Sequence, residues 1–141
     1  MTGKGKRAEE RFEAYWKSLG KWAYCYRLPD AADINGLNKA KGRVRDFAKP
    51  ADYIITYNKM TIFAEVKSTQ EKYRFKKSLI RPAQCAAAYQ VTAAGGMYFF
   101  FIYTSFNRVY AVPAPFVLNY NGPSIPFTDL EQFRWECLES I

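Results

Sequence analysis

The stretch Pro50-Ala51-Asp52-Tyr53-Ile54-Ile55-Thr56-Tyr57-Asn58-Lys59-Met60-Thr61-Ile62-Phe63-Ala64-Glu65-Val66-Lys67 decides the fold. Tyr53 to Tyr57 and Thr61 to Val66 are β-branched and aromatic runs of strand length separated by Asn58-Lys59-Met60, which predicts a β-hairpin. If the loop is the pair Asn58-Lys59, Tyr57 faces Met60 and, in the same register, Asp52 faces Glu65. Directly opposed residues share a face with β-carbons about 5 Å apart, close enough for both carboxylates to reach one cation. Lys67 stands two residues beyond Glu65, and the strand period of two brings it to that face as well. An odd-length loop would break the register. Like charges placed opposite each other are otherwise destabilising, and the apolar run Ile62 to Val66 reads as a central strand, where unpaired charge is costly. The pattern points to a site rather than to a solvated stripe.

Outward from the hairpin, Ala8, Phe12, Tyr15, Trp16 and Leu19 recur at helical spacing, predicting a helix from about Arg7 to Leu19 that Gly20 ends. Trp22 to Leu28 reads as an aromatic strand. Pro82 opens a helix, Ala83 to about Ala94, closed by Gly95-Gly96. The unbroken apolar run MYFFFIY fits a buried central strand, with Arg108 to Val112 pairing back along it, and Leu130 to Leu138 reads as a final amphipathic helix. The expected fold is α/β, a mixed central sheet flanked by helices, in one domain spanning 1–141 with a basic arm at about 29–49.

Charge is distributed unevenly. Residues 1–81 carry 19 Lys and Arg against 9 acids, a net of +10, while residues 82–141 carry 2 against 4, a net of −2. A one-sided basic excess with aromatics among the charges predicts a polyanion partner, because neutralised phosphates release condensed counterions. Lys39, Lys41, Arg43, Arg45 and Lys49 in the arm, Lys72, Arg74, Lys76 and Lys77 after the hairpin, Arg81 at the next helix, and Lys4, Lys6 and Arg7 near the N-terminus are the candidate phosphate contacts. Tyr73 and Phe75 between those bases read as core strand residues. Cys25, Cys85 and Cys137 form no CxxC pair and suit a reducing, cytoplasmic setting (a host's cytoplasm for a viral protein), and no window is apolar enough to span a membrane.

Histidine is absent altogether. That excludes Ser-His and Cys-His nucleophilic sites, zinc deaminases and nucleases with a histidine base. Chemistry must then come from carboxylates, lysine and a hard metal. Carboxylate oxygens without imidazole or paired thiols suit Mg²⁺, with Mn²⁺ able to substitute. Such an ion polarises a phosphodiester and activates a bound water, while Lys67 orients that water or stabilises the developing charge.

Pro50-Ala51-Asp52, a twelve-residue gap and Glu65-Val66-Lys67 resemble the PD-(D/E)xK nuclease signature. Lys4-Gly5-Lys6-Arg7-Ala8-Glu9 resembles the opening helix of the archaeal Holliday-junction resolvases, where a Gly is followed four residues on by a metal-binding Glu. That resemblance adds Glu9 to Asp52 and Glu65 as a metal ligand; by its residues alone Glu9 reads equally as an acid of a solvated helix face. Ser78-Leu79-Ile80-Arg81-Pro82-Ala83-Gln84 is similar to the segment after the catalytic lysine in those resolvases and in RecU-type enzymes, which puts Gln84 near the site. The insertion Pro29 to Lys49 departs from the archaeal pattern and resembles the RecU type with its projecting stalk. The resemblance implies a restriction-endonuclease-like fold and a homodimeric, Mg²⁺-dependent endodeoxyribonuclease acting on four-way DNA junctions. Two alternatives stand beside it: a general or restriction-type nuclease, and a non-catalytic nucleic-acid-binding module of the same fold.

Overall fold

The computed structural model describes residues 3–30 and 49–135. The hairpin forms as its loop chemistry dictates. Strand β2 (Tyr53–Tyr57) and strand β3 (Met60–Ser68) pair antiparallel with Tyr57 opposite Met60, and both loop residues take left-handed backbone angles, φ 52° at Asn58 and 65° at Lys59. Positive φ at both positions is the twist-matched two-residue turn. The ladder runs to Tyr53 opposite Ala64. Asp52 therefore stands one residue beyond it, with its N–H donating to the Ala64 carbonyl at 3.1 Å.

The hairpin is the middle of a five-stranded sheet. Strand β1 (Ala23–Arg27) pairs antiparallel with β2, strand β5 (Met97–Tyr103) runs parallel to β3, and strand β6 (Val109–Pro113) closes the far edge, giving the order β1-β2-β3-β5-β6. The parallel step from β3 to β5 needs a crossover. Helix α2 (Pro82–Ala93) supplies it, with Pro82 at its first turn and Gly95 at φ 93° after its end. Strand β4 (Arg74–Lys76) pairs with β7 (Ser124–Pro126) in a separate two-stranded sheet, and short helices α3 (Ala114–Asn119) and α4 (Phe127–Leu130) complete the chain.

Alternation along the strands produces two cores, one on each face. Helix α1 (Gly3–Ser18) lays Ala8, Phe12 and Trp16 on the face carrying Tyr53, Ile55, Ala64, Val66 and Phe101. On the other face α2 and α3 cover Tyr98, Phe100, Ile102, Tyr110 and Val112. Phe12 is fully buried, with the rings of Tyr53 and Phe101 centred 4.8 and 4.9 Å away. Phe12→Ala should cost about 3–5 kcal/mol, a large share of a typical domain's stability, and urea unfolding measures it.

The sequence expectations fail in places. No helix runs from Leu130 through the described chain: Glu131–Phe133 is a single 3-10 turn, Arg134 bridges Tyr110, and Trp135 packs 5.0 Å from Phe101; residues 136–138 lie outside the described residues. Burial of Trp135 against α1 and the sheet outweighs the helical spacing. Tyr73 is 77% exposed whereas Phe75 is fully buried, so only one of that pair is core. Cys25 and Cys85 are free thiols. Among the described residues no helix is long and apolar enough to cross a membrane.

Candidate active site

Asp52 sits where β2 begins, and four contacts hold it. Its carbonyl accepts from Leu28 N–H at 2.9 Å, its N–H donates to Ala64, its Oδ2 accepts from Val66 N–H at 2.9 Å, and Lys49 Nζ lies 3.2 Å from Oδ1. Tyr98 braces the preceding turn by donating to the Pro50 carbonyl at 2.6 Å. The carboxylate thus closes the end of the hairpin by capping a β3 amide that the shortened ladder leaves free.

Glu65 points to the opposite face from Ala64 and Val66, toward α2. Gln84, three residues into that helix's opening, donates from Nε2 to Glu65 Oε2 at 2.6 Å, and Lys67 Nζ stands 3.2 Å from the same oxygen. Gln84 Oε1 accepts from Lys67 Nζ at 2.9 Å and from the Arg81 N–H at 3.1 Å. One amide therefore ties the helix N-terminus, the glutamate and the lysine together. Glu65 is 2% exposed, and its second oxygen, Oε1, is buried with no hydrogen-bond partner among the described residues. Burial first, and then the neighbouring Asp52 charge, push the Glu65 carboxyl up to about 8, with Lys67 pulling the other way.

Glu9 comes from α1, on the sheet face opposite Glu65. It is buried, and desolvation and then the charge of Asp52 raise its pKa against the opposing pull of Arg27. Tyr53 Oη lies 3.4 Å from Glu9 Oε1 and 2.5 Å from Glu13 Oε2, and Arg27 Nη2 stands 3.5 Å from Glu9 Oε1. Because Glu9 and Glu65 approach from different layers, the expected convergence of three carboxylates is not formed. Among the described residues no three Asp, Glu, His or Cys side chains make a group able to hold a metal ion.

The residues still fit a hard divalent cation. Burial and the Asp52 charge make the ionised form of Glu65 costly, one of its buried oxygens lacks a partner among the described residues, and Mg²⁺ characteristically takes only one or two carboxylates and keeps several waters. Asp52 and Glu65 would hold it.

Several candidate phosphate contacts have partners within the fold. Lys49 is a clamp: it reaches Asp30 Oδ1 at 2.6 Å as well as Asp52, and Arg27 pairs with Asp30 at 3.2 Å. Burial alone would lower the Lys49 pKa, but the Asp30 hydrogen bond and the Asp52 charge outweigh it and the net shift is upward. Lys77 donates to the Tyr120 carbonyl at 2.7 Å, and Lys76 pairs with Glu71 at 2.7 Å. Lys6, Arg7, Lys72, Arg74 and Arg81 are exposed. Lys39, Lys41, Arg43, Arg45 and the Lys4 side chain lie outside the described residues. Asp30, Arg27 and Glu13 were not among the predicted site residues: apart from the i,i+3 pair Arg27–Asp30, their partners are distant in sequence, 19 positions from Asp30 to Lys49 and 40 from Glu13 to Tyr53.

Gln84 joins Glu65 and Lys67 through its side-chain amide. Gln84→Ala removes a donor from Glu65 and an acceptor from Lys67, so about 10–100-fold of cleavage rate should be lost at saturating substrate, measured by single-turnover kinetics.

A hairpin ending in a buried Asp, a Glu on its second strand and a Lys two residues on, inside a mixed sheet with helices on both faces, defines the PD-(D/E)xK nuclease class. The family model of Recombination protein U, RecU, matches residues 37–136, and the chain belongs to that family. Its fold is similar to that of Hjc, a Holliday junction resolvase from the archaeal hyperthermophile Archaeoglobus fulgidus, with a TM-score of 0.64 and 12% identity over 94% of this chain and 95% of that one. No curated protein matches the chain by sequence.

Proposed function

We propose that this RecU-family chain is a Holliday-junction resolvase, acting in recombination and repair, that hydrolyses DNA phosphodiesters at Asp52, Glu65 and Lys67 with a divalent cation, Mg²⁺ in the cell. The observation that carries the reading is the buried Asp52–Glu65 pair with its unpartnered Glu65 oxygen and adjoining Lys67. Asp52 and Glu65 would hold the cation, and the chemistry supplied there would be polarisation of the scissile phosphate and activation of a water.

The chain's own residues do the rest. The Asp52 carboxylate is held by the Val66 N–H at Oδ2 and by Lys49 at Oδ1, and main-chain bonds to Leu28 and Ala64 fix its backbone, so its direction is set. Gln84 fixes Lys67 beside Glu65, leaving the ammonium placed to orient a water and to counter charge growing on the phosphate. Glu9 would contribute through a bound water rather than directly. Arg81, exposed at the start of α2, and the exposed Lys72 and Arg74 would take flanking phosphates. Symmetric cutting of a four-way junction requires two such sites about a twofold axis, hence a homodimer. The DNA substrate puts its work in the cytoplasm.

Cleavage of a synthetic four-way junction beside a linear duplex of the same sequence, each with Mg²⁺ and with chelator, tests the reading. The junction should be nicked symmetrically only with Mg²⁺, and the duplex spared. Equal cutting of both would leave a general nuclease instead.

A further inference from the structure

The sheet face that carries Glu65 and Lys67 extends past Phe63 onto the outer half of the sheet. Register places Tyr24 against Thr56 and Tyr26 against Ile54, and across the hairpin Thr56 meets Thr61 and Ile54 meets Phe63. These side chains share one face, and Phe63, Glu65 and Lys67 follow on it at alternate positions of β3. Helix α2 packs over β5. At the outer strands Tyr24 remains 61% and Tyr26 46% exposed, and Thr56 and Thr61 are exposed as well.

The two tyrosine rings are parallel to within 10°, with centroids 6.5 Å apart. Thr56 and Thr61 share a hydrogen bond of 2.9 Å beside them. Trp22, at the entry to β1, is 72% exposed with Lys21 Nζ 5.3 Å from its ring centre. No acid occurs between Ala14 and Pro29 or between Tyr53 and Ala64, where Lys17, Lys21 and Lys59 stand. Three large aromatics exposed within five residues of an edge strand have no use in the core. Parallel π faces beside a basic group, here Lys21 against Trp22, are the features that take up nucleotides, the rings stacking on bases and the ammonium group meeting phosphates.

We infer that Tyr24 and Tyr26 form a stacking platform for unpaired bases of a DNA strand. Tyr26 lies two residues along and two strands across from the level of Glu65, about 12 Å away by strand geometry. A strand passing the cutting site would reach the platform within a few nucleotides, so unpaired bases near the branch point are its occupant. The inference rests on the nuclease reading for its substrate but not for its test.

The test is fluorescence anisotropy of the full-length protein with a labelled oligothymidine strand and, separately, a labelled duplex. The variants are Tyr24→Thr/Tyr26→Thr, which keeps strand propensity without the rings, and Tyr24→Phe/Tyr26→Phe, which keeps the rings. The threonine pair should bind the single strand about tenfold or more weakly, the phenylalanine pair like the wild type, and duplex affinity should be equal in all three. Unchanged single-strand affinity in the threonine pair overturns the platform, as does a wild type that cuts junctions yet ignores single strands. A threonine pair that sediments as a smaller species makes the face a contact between copies and also overturns it. A wild type that cuts no junction but binds single strands through these rings would sink the resolvase reading and leave the platform standing.

Discussion

Asp52→Asn should lower junction cleavage by about a thousandfold or more, with junction affinity undiminished. The loss follows from the role proposed for the carboxylate: as one of the two acids proposed to hold the cation, it would support several kcal/mol of transition-state stabilisation that a neutral amide does not. Binding should hold because the proposed phosphate contacts lie elsewhere and removing a negative charge eases the approach of a polyanion. The fold should hold as well, since the amide oxygen still accepts from Val66 N–H and only the partly buried pairing with Lys49 is weakened. Single-turnover cleavage and anisotropy binding on one preparation separate the two effects. A variant that cuts at the wild-type rate would put the chemistry elsewhere than Asp52, and a wild type that binds junctions without cutting them would favour a binding module carrying this fold without its chemistry.

Glu65→Gln should lose activity to a similar degree and yet be more stable than the wild type without metal, a pair of effects with opposite signs. The Glu65 pKa is raised in the folded state by burial and by Asp52, to about 8 against 4.5 for the free group. A group with a raised folded pKa contributes its full stability below the unfolded value. That contribution is lost as pH climbs through the folded one, so metal-free wild-type protein should weaken between about pH 4.5 and 8. Glutamine does not titrate, and its oxygen still accepts from Gln84. Above pH 8 it should therefore lead the wild type by something on the order of a few kcal/mol in urea unfolding. Saturating Mg²⁺ should reverse the order, because a ligand of the native state stabilises only the protein that binds it. A wild type whose stability ignores both Mg²⁺ and pH across this window would mean that Glu65 is not a buried, frustrated acid.

The hairpin was legible because a two-residue loop fixes register, and register fixes which side chains oppose each other. From Asn58-Lys59 alone the positions of Asp52, Glu65 and Lys67 follow, and the uninterrupted MYFFFIY identifies the neighbouring strand residue for residue. What register could not foretell is that the ladder stops at Tyr53, so that Asp52 caps a β3 amide with its side chain instead of completing a backbone pair. Glu9 was reached only through family resemblance. Helical spacing gives the buried face of α1 but not how far along the sheet the helix is set, and that setting leaves Glu9 with Tyr53 and Arg27 rather than in a three-acid cage. Lys49 illustrates the limit of reading charge along a chain. As one base in an alternating series it resembled a phosphate contact, whereas in the fold it joins Asp30, at the start of the insertion, to Asp52, just beyond its end. The short elements Ala114–Asn119 and Ser124–Pro126 passed unseen because six and three residues show no period.

Two acids from one hairpin sharing one divalent ion is the claim from which cleavage, metal dependence and the signs of both substitutions follow. A crystal soaked in Mn²⁺ and measured at the manganese absorption edge tests it directly. One anomalous peak within about 2.5 Å of a carboxylate oxygen from each of Asp52 and Glu65 is the expected result. A peak touching neither residue, in crystals of protein that cuts junctions with Mn²⁺, would contradict it.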